Sequence, residues 1–190
     1  PKNIPNLMKQ TNSIRESQPP ATLHKELKNR LPSWRLVLST ITETGREAGN
    51  RRIPQADERL YFPLDFPGAV HRSIQRVQPQ LTVILETELW PNFIRAHDQL
   101  MIPSALINGR ISPKSFNRYR RIRPLMIRVL ERMAVFGMQS ESDAERIRAL
   151  GAPPNRVRVG GNLKFDGAAN SDPPKPQEKL DVRRDLGLSG

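Results

Sequence analysis

Two carboxylates, Glu86 and Glu88, stand either side of a hydroxyl in Glu86-Thr87-Glu88-Leu89-Trp90-Pro91-Asn92. In an extended segment alternate residues share a side, so the two acids would face the same way. There a like charge raises a carboxyl pKa, or the pair holds cationic side chains and hydroxyls. The same residues also suit a structural task, one glutamate capping the next helix while Trp90 and Pro91 pack its first turn. A second group, Thr40-Ile41-Thr42-Glu43-Thr44-Gly45-Arg46, sets hydroxyls and a glycine at the opening of a helix. That layout turns backbone N–H groups and a positive dipole end toward an anion, or serves as a cap alone. A third, Asn108-Gly109-Arg110-Ile111-Ser112, leads into the strongest charge feature of the chain. Between positions 110 and 132 stand eight cations (Arg110, Lys114, Arg118, Arg120, Arg121, Arg123, Arg128, Arg132) against one acid, Glu131. Phe116, Tyr119, Ile122, Leu125, Met126 and Ile127 are interleaved with them. Basic and apolar together suit anionic lipid better than a purely solvated face, while aromatics in a basic stretch can also stack on nucleic-acid bases. A fourth group, Gly160-Gly161-Asn162-Leu163-Lys164-Phe165-Asp166, places a lysine where it clamps a phosphate or carboxylate, or where it is a surface lysine of a hinge loop. His24, His71 and His97 lie in helical stretches and read as surface residues.

Each of these groups follows a short apolar run, which is what positions it. Runs at 35–40, 60–64, 81–85, 104–107, 134–138 and 157–159 read as strands. An amphipathic segment carrying Leu23, Leu27 and Leu31 precedes the first. Stretches at 69–77, 93–100, 124–133 and 142–150 read as helices, the last capped by Ser140 or Ser142 with Glu145 and stopped by Gly151. Strand, helix, strand in this rhythm predicts an α/β fold, a Rossmann-like open parallel sheet covered on both faces. Ligands of such sheets bind beyond the carboxyl ends of the strands, where all four polar groups fall. Positions 1–20 offer no convincing strand and read as an irregular or disordered N-terminal segment. Positions 21–166 read as the Rossmann-like domain, 167–176 as a linker, and 177–190 as the start of a second, truncated domain.

Composition narrows the classes. A formal charge of +12 over 190 residues attracts polyanions, whether nucleic acid, anionic membrane or phosphorylated substrate. Without cysteine there is no disulfide framework or thiolate chemistry, and three scattered histidines argue against a zinc site. No apolar stretch is long enough to span a bilayer, and positions 1–20 lack the apolar core of a signal peptide, which makes a cytoplasmic setting the expectation.

Taken in order, the motifs resemble the Kdo (3-deoxy-D-manno-octulosonic acid) transferases. The resemblance runs over positions 21–166, through Trp34-Arg35 to Thr44-Gly45, Phe62-Pro63-Leu64-Asp65, Glu86-Thr87-Glu88-Leu89-Trp90-Pro91-Asn92, Asn108-Gly109-Arg110-Ile111-Ser112 and Gly161-Asn162-Leu163-Lys164-Phe165-Asp166. It implies the N-terminal, acceptor-side lobe of a two-lobed GT-B glycosyltransferase, cut off before the C-terminal lobe and inactive alone. The whole enzyme would move Kdo from the donor CMP-Kdo to the lipid A precursor (lipid IVA) in lipopolysaccharide synthesis, without a metal ion or cofactor. It would work peripherally at the cytoplasmic face of the bacterial inner membrane, with CMP-Kdo held through the missing lobe. Glu86 and Lys164 match family residues important for activity, and Glu16 of Ser13-Ile14-Arg15-Glu16 matches the general base. Arg15 stands where the family has glycine, a cation that favours the ionised carboxylate and weakens it as a base. Arg110 and the basic stretch, Arg118 and Arg121 included, would meet acceptor phosphates or anionic lipid, with Thr44, Glu88, Asn108, Ser112 and Asn162 lining the same side. Two other readings are a lobe of a different GT-B sugar transferase and a basic nucleic-acid-binding domain. The second gives no reason for two acids and a tryptophan at one strand end.

Overall fold

The computed structural model describes residues 6–10 and 19–161. Seven strands, β1 (Asn6–Gln10), β2 (Arg35–Thr40), β3 (Glu58–Tyr61), β4 (Pro79–Leu85), β5 (Ser104–Gly109), β6 (Val135–Met138) and β7 (Val157–Val159), form one sheet in the order β3-β2-β1-β4-β5-β6-β7. Every pairing is parallel. Parallel neighbours need crossovers, and helices supply them. They are α1 (Pro19–Arg30), α2 (Glu43–Arg52), α3 (Pro67–Val77), α4 (Pro91–Gln99), α5 (Pro113–Arg121), α6 (Arg123–Leu130) and α7 (Glu141–Leu150).

Alternation along the strands divides the core between the two faces. In β2, Leu36 packs with Val83 and Leu85 against Leu23 and Leu27 of α1, and Leu38 packs with Ile53 and Ala56 beyond α2. Val37, between them, joins Phe62, Phe93 and the α3 residues Val70, Ile74 and Val77. Farther along the sheet Ile84, Leu106, Phe136 and Met138 meet Ile94, Met126, Val129 and Ile147 from α4, α6 and α7. Two helices therefore cover one face and the later ones the other, as right-handed crossovers require of this strand order.

The strands expected at 35–40 and 157–159 are β2 and β7, and Gly151 ends α7 in the left-handed conformation at φ 117°. Two expectations are corrected. Asn6–Gln10, placed in an irregular segment, is an inner strand of the sheet, bonded to β2 on one side and β4 on the other. Only Leu7 and Met8 in it are apolar, too few for an apolar run, and a parallel strand takes its partners from distant segments. The strand read at 60–64 runs instead from Glu58 to Tyr61, because Pro63 has no N–H to continue the ladder; Leu64 beyond it is exposed. The basic stretch folds as two short helices, α5 and α6, that meet at Ile122 just ahead of Pro124. The linker and second-domain readings at 167–190, and the domain boundary at 166, lie outside the described residues.

Candidate functional site

The strand order changes direction where β1 stands between β2 and β4, and the crevice beyond the carboxyl ends of such strands is where an open α/β sheet takes its ligand. The motifs that follow β2, β4 and β5 all reach this edge.

β4 stops at Leu85, and Glu86 turns into the left-handed region at φ 62°. The pair Glu86 and Glu88 is therefore not carried on one extended segment, and the alternation that would have set both acids on one side of a strand does not operate. Both side chains are half-buried. The Glu86 N–H donates to the Ile107 carbonyl at 3.1 Å, which fastens the turn to β5. On β5, Asn108 is also left-handed, at φ 56°, and buried. Leu85 pairs with Ile107 in the ladder, so the two left-handed residues follow one another across neighbouring strand ends. A non-glycine residue in that region costs about 1–2 kcal/mol, with asparagine tolerating it better than glutamate. Such outliers gather at functional sites, where the surroundings hold them in place.

Arg110 follows on an unusually well-held backbone. The Thr87 hydroxyl accepts its N–H at 3.0 Å and donates to its carbonyl oxygen. Gln139 takes the two preceding carbonyls, Nε2 donating to Asn108 at 3.0 Å and its backbone N–H to Gly109 at 2.9 Å. From α7, Asp143 accepts the Ile111 N–H and Arg146 donates to the Ile111 carbonyl, each at 2.8 Å. Gly109 fits because any Cβ there would lie 2.7 Å from the buried Met138 sulfur. The Arg110 side chain is exposed on this frame.

Ser112 has a local duty: it caps α5, accepting the Ser115 N–H at 3.1 Å. Arg118 and Arg121 are exposed on α5, Arg118 stacked over Tyr119 at 5.3 Å. Thr42 caps α2 through the Gly45 N–H, and Thr44 is exposed in the first turn with its hydroxyl 3.3 Å from that of Thr42. Ser140 is the cap of α7, through the Asp143 N–H. The structure thus brings Glu86, Glu88, Asn108 and Arg110 to one edge, with Thr44 at the end of β2. Glu16, Asn162 and Lys164 lie outside the described residues.

Two features escaped the reading of the sequence. Asp65 of the β3–α3 loop caps α4, whose own Trp90 position offers no side-chain cap: its carboxylate accepts the N–H groups of Asn92 and Phe93 at 3.1 and 2.8 Å. Its partners are a whole crossover away in sequence, so no local pattern signals the contact. His97, read as a surface residue, is fully buried against Phe93 with ring centroids 4.1 Å apart. Its Nδ1 lies 2.8 Å from the Phe93 carbonyl, which only accepts, so Nδ1 carries the proton. Burial pushes the imidazole down to about 4, with the Phe93 carbonyl pulling the other way. Among the described residues no group of three His, Cys, Asp or Glu side chains is arranged to hold a metal, and no helix is long and apolar enough to cross a membrane.

The chain is similar to known proteins over most of its length. A family model described as 3-deoxy-D-manno-octulosonic-acid transferase (kdotransferase) matches residues 4–167. A 3-deoxy-D-manno-octulosonic acid transferase of Haemophilus influenzae is 31% identical over 150 residues, 79% of this chain and 35% of that protein. A bifunctional glycosyltransferase/methyltransferase of Fusobacterium nucleatum is 36% identical over 68% of this chain and 21% of its own length. A probable mitochondrial 3-deoxy-D-manno-octulosonic acid transferase of Arabidopsis thaliana is 33% identical over 68% of this chain and 30% of its own. The chain thus spans about a fifth to two fifths of the length of the curated relatives it matches. Among solved structures, the UDP-GlcNAc 2-epimerase of Neisseria meningitidis bound to UDP-GlcNAc superposes with a TM-score of 0.62 at 12% identity, over 97% of this chain and 55% of that one. The corresponding enzyme of Methanocaldococcus jannaschii gives 0.58 at 12%, over 86% and 47%. At that identity the likeness carries the fold alone, the doubly wound N-terminal lobe of a GT-B architecture.

Proposed function

The chain belongs to the 3-deoxy-D-manno-octulosonic-acid transferase family, and on that premise we propose that it is the acceptor-side lobe of an enzyme that transfers Kdo from CMP-Kdo to a lipid A precursor in lipopolysaccharide synthesis. The observation that carries the reading is the juxtaposition at one sheet edge of a strained acidic turn, Glu86 to Glu88, and a firmly held cation, Arg110. An acceptor with phosphates and a nucleophilic sugar hydroxyl needs both: a guanidinium to fix the anion, and carboxylates to orient hydroxyls near the reacting centre.

In this proposal Arg110 takes an acceptor phosphate and Glu86 orients the attacking sugar, with Thr44, Glu88 and Asn108 lining the edge. Glu16 takes the proton from the attacking hydroxyl as the new bond to Kdo forms and CMP departs. Lys164 and Asn162 serve near the donor, which sits in a second lobe of the whole protein. No resident metal takes part. Arg118 and Arg121 rest on the anionic headgroups of the inner membrane's cytoplasmic face. Ile122 and Leu125, 45% and 47% exposed between the arginines of α5 and α6, support that docking, since apolar side chains among cations suit a lipid interface.

The test is a transfer assay paired with vesicle sedimentation. The chain should sediment with vesicles containing anionic lipid, release from them at high salt, and turn over no CMP-Kdo. A polypeptide joining it to a donor-binding lobe should transfer Kdo equally well with and without a chelator. Transfer by this chain alone refutes the division of labour between lobes, and equal sedimentation with neutral vesicles refutes the electrostatic docking.

A further inference from the structure

We propose that Thr87 is a positioning residue that aims the Arg110 guanidinium at an anionic group, and that the Asp143–Arg146 pair of α7 supports it from the far side. This deepens the reading of Arg110 as a phosphate contact and rests on it.

The geometry is that of a clamp. In the segment from Asn108 to Ile111 all four carbonyls, and the N–H groups of Arg110 and Ile111, are bonded by residues from outside it. Thr87 comes from the β4–α4 turn, Gln139 from the end of β6, and Asp143 and Arg146 from α7. A loop at an open sheet edge normally leaves some of these groups to water. Here the one hydroxyl of Thr87 is used as both donor and acceptor toward the same residue. Asp143 and Arg146 are themselves only 3.6 Å apart, with Asp143 buried, so their grip on the two sides of Ile111 is mutually supported.

The consequence concerns entropy and alignment. With its backbone held, Arg110 gives up only side-chain freedom on meeting an anion, and less of that in a planar fork than a lysine would lose. Thr87 also stands between Glu86 and Glu88, so its two bonds lock the acidic turn and the cation together. A ligand that bridges a hydroxyl near the acids and a phosphate near the arginine meets a spacing already set, which is how pre-organisation favours a reacting geometry.

The experiment measures affinity of the chain for a bis-phosphorylated lipid A precursor in detergent micelles, across Thr87→Val, Thr87→Ser, Arg110→Ala, Arg146→Met and the doubles with Arg110→Ala. Melting of each variant is followed by circular dichroism. Valine keeps the shape of threonine and removes both bonds, and should weaken binding roughly tenfold, whereas serine should stay within about twofold of the parent. Arg146→Met removes one bond at the far side and should cost about threefold, which covers the case in which the valine variant does not fold. In the Arg110→Ala background neither change should weaken binding further, because the clamp then has nothing to aim. Equal weakening by Thr87→Val with and without Arg110, or parent affinity in a folded Thr87→Val, overturns the positioning role while leaving the phosphate reading standing. Parent affinity in Arg110→Ala overturns the phosphate reading itself.

Discussion

The Asp65 carboxylate accepts the Phe93 N–H at 2.8 Å, joining residues 28 positions apart and closing the first turn of α4 from a loop on the neighbouring crossover. Asn92 answers with a bond from its Nδ2 to the Asp65 carbonyl at 2.7 Å. The helix end nearest the candidate site is thus anchored to the loop after β3 as well as to its own strand. Asp65→Ala removes an acceptor from two N–H groups and a negative charge from the positive end of the helix. It should cost about 1–2 kcal/mol in denaturant unfolding, and Asp65→Asn, which keeps one acceptor oxygen, about half of that.

Burial of His97 couples stability to acid. Its folded pKa of about 4 lies below the ordinary value of 6.5, so the unfolded chain binds the extra proton between those values and stability rises with pH across the window. Nothing is lost above pH 6.5; the loss of stability grows as pH falls toward 4, where it reaches about 3 kcal/mol. Unfolding curves measured at pH 7, 6, 5 and 4.5 should therefore steepen in their pH dependence below 6.5, and His97→Gln should flatten that slope. An unchanged slope in the variant would assign the acid sensitivity to other groups.

Gly151 ends α7 at φ 117°, and a Cβ there would stand 2.4 Å from the Ile127 Cγ1 and 3.0 Å from the Ile127 Cα. Both the backbone conformation and the approach of α6 demand glycine. Gly151→Ala should destabilise the chain by about 3 kcal/mol, read as a lower thermal midpoint with the same circular dichroism spectrum at low temperature.

Glu86 holds a left-handed backbone at φ 62° that glycine adopts freely and alanine does not. Comparing Glu86→Gly with Glu86→Ala removes the side chain in both and isolates the backbone. The glycine variant should be the more stable by about 1 kcal/mol, and both should lose affinity for the acceptor lipid. Equal stabilities would mean that the turn relaxes when the glutamate is gone and stores no strain.

Much of the fold was legible in local pattern. Apolar runs located six of the strands to within a few residues, since parallel strands buried on both faces read as continuous apolar runs. Gly151 as a helix stop and Ser140 as a helix cap were readable because caps are decided within three or four residues. Asn6–Gln10 was not readable, because its place in the sheet comes from the strands on either side of it and its own composition is mixed. His97 was misread for a similar reason: one polar residue in a helix does not announce which face of that helix is covered.

By itself the sequence determined the alternation of strand and helix, the polar groups that close the strands, the basic stretch, and the motifs by which the chain resembles its family. These are written in neighbouring residues, where propensity, periodicity and capping act. Tertiary structure alone decided that Thr87 grips Arg110, that Asp143 and Arg146 grip Ile111, that Asp65 closes α4, and that Glu86 leaves the strand left-handed beside Asn108. Each of those side-chain bonds joins residues 23 or more positions apart. Their partners become neighbours only once the parallel sheet has set its strands side by side, so the precision of the site is a property of strand order and not of any one motif.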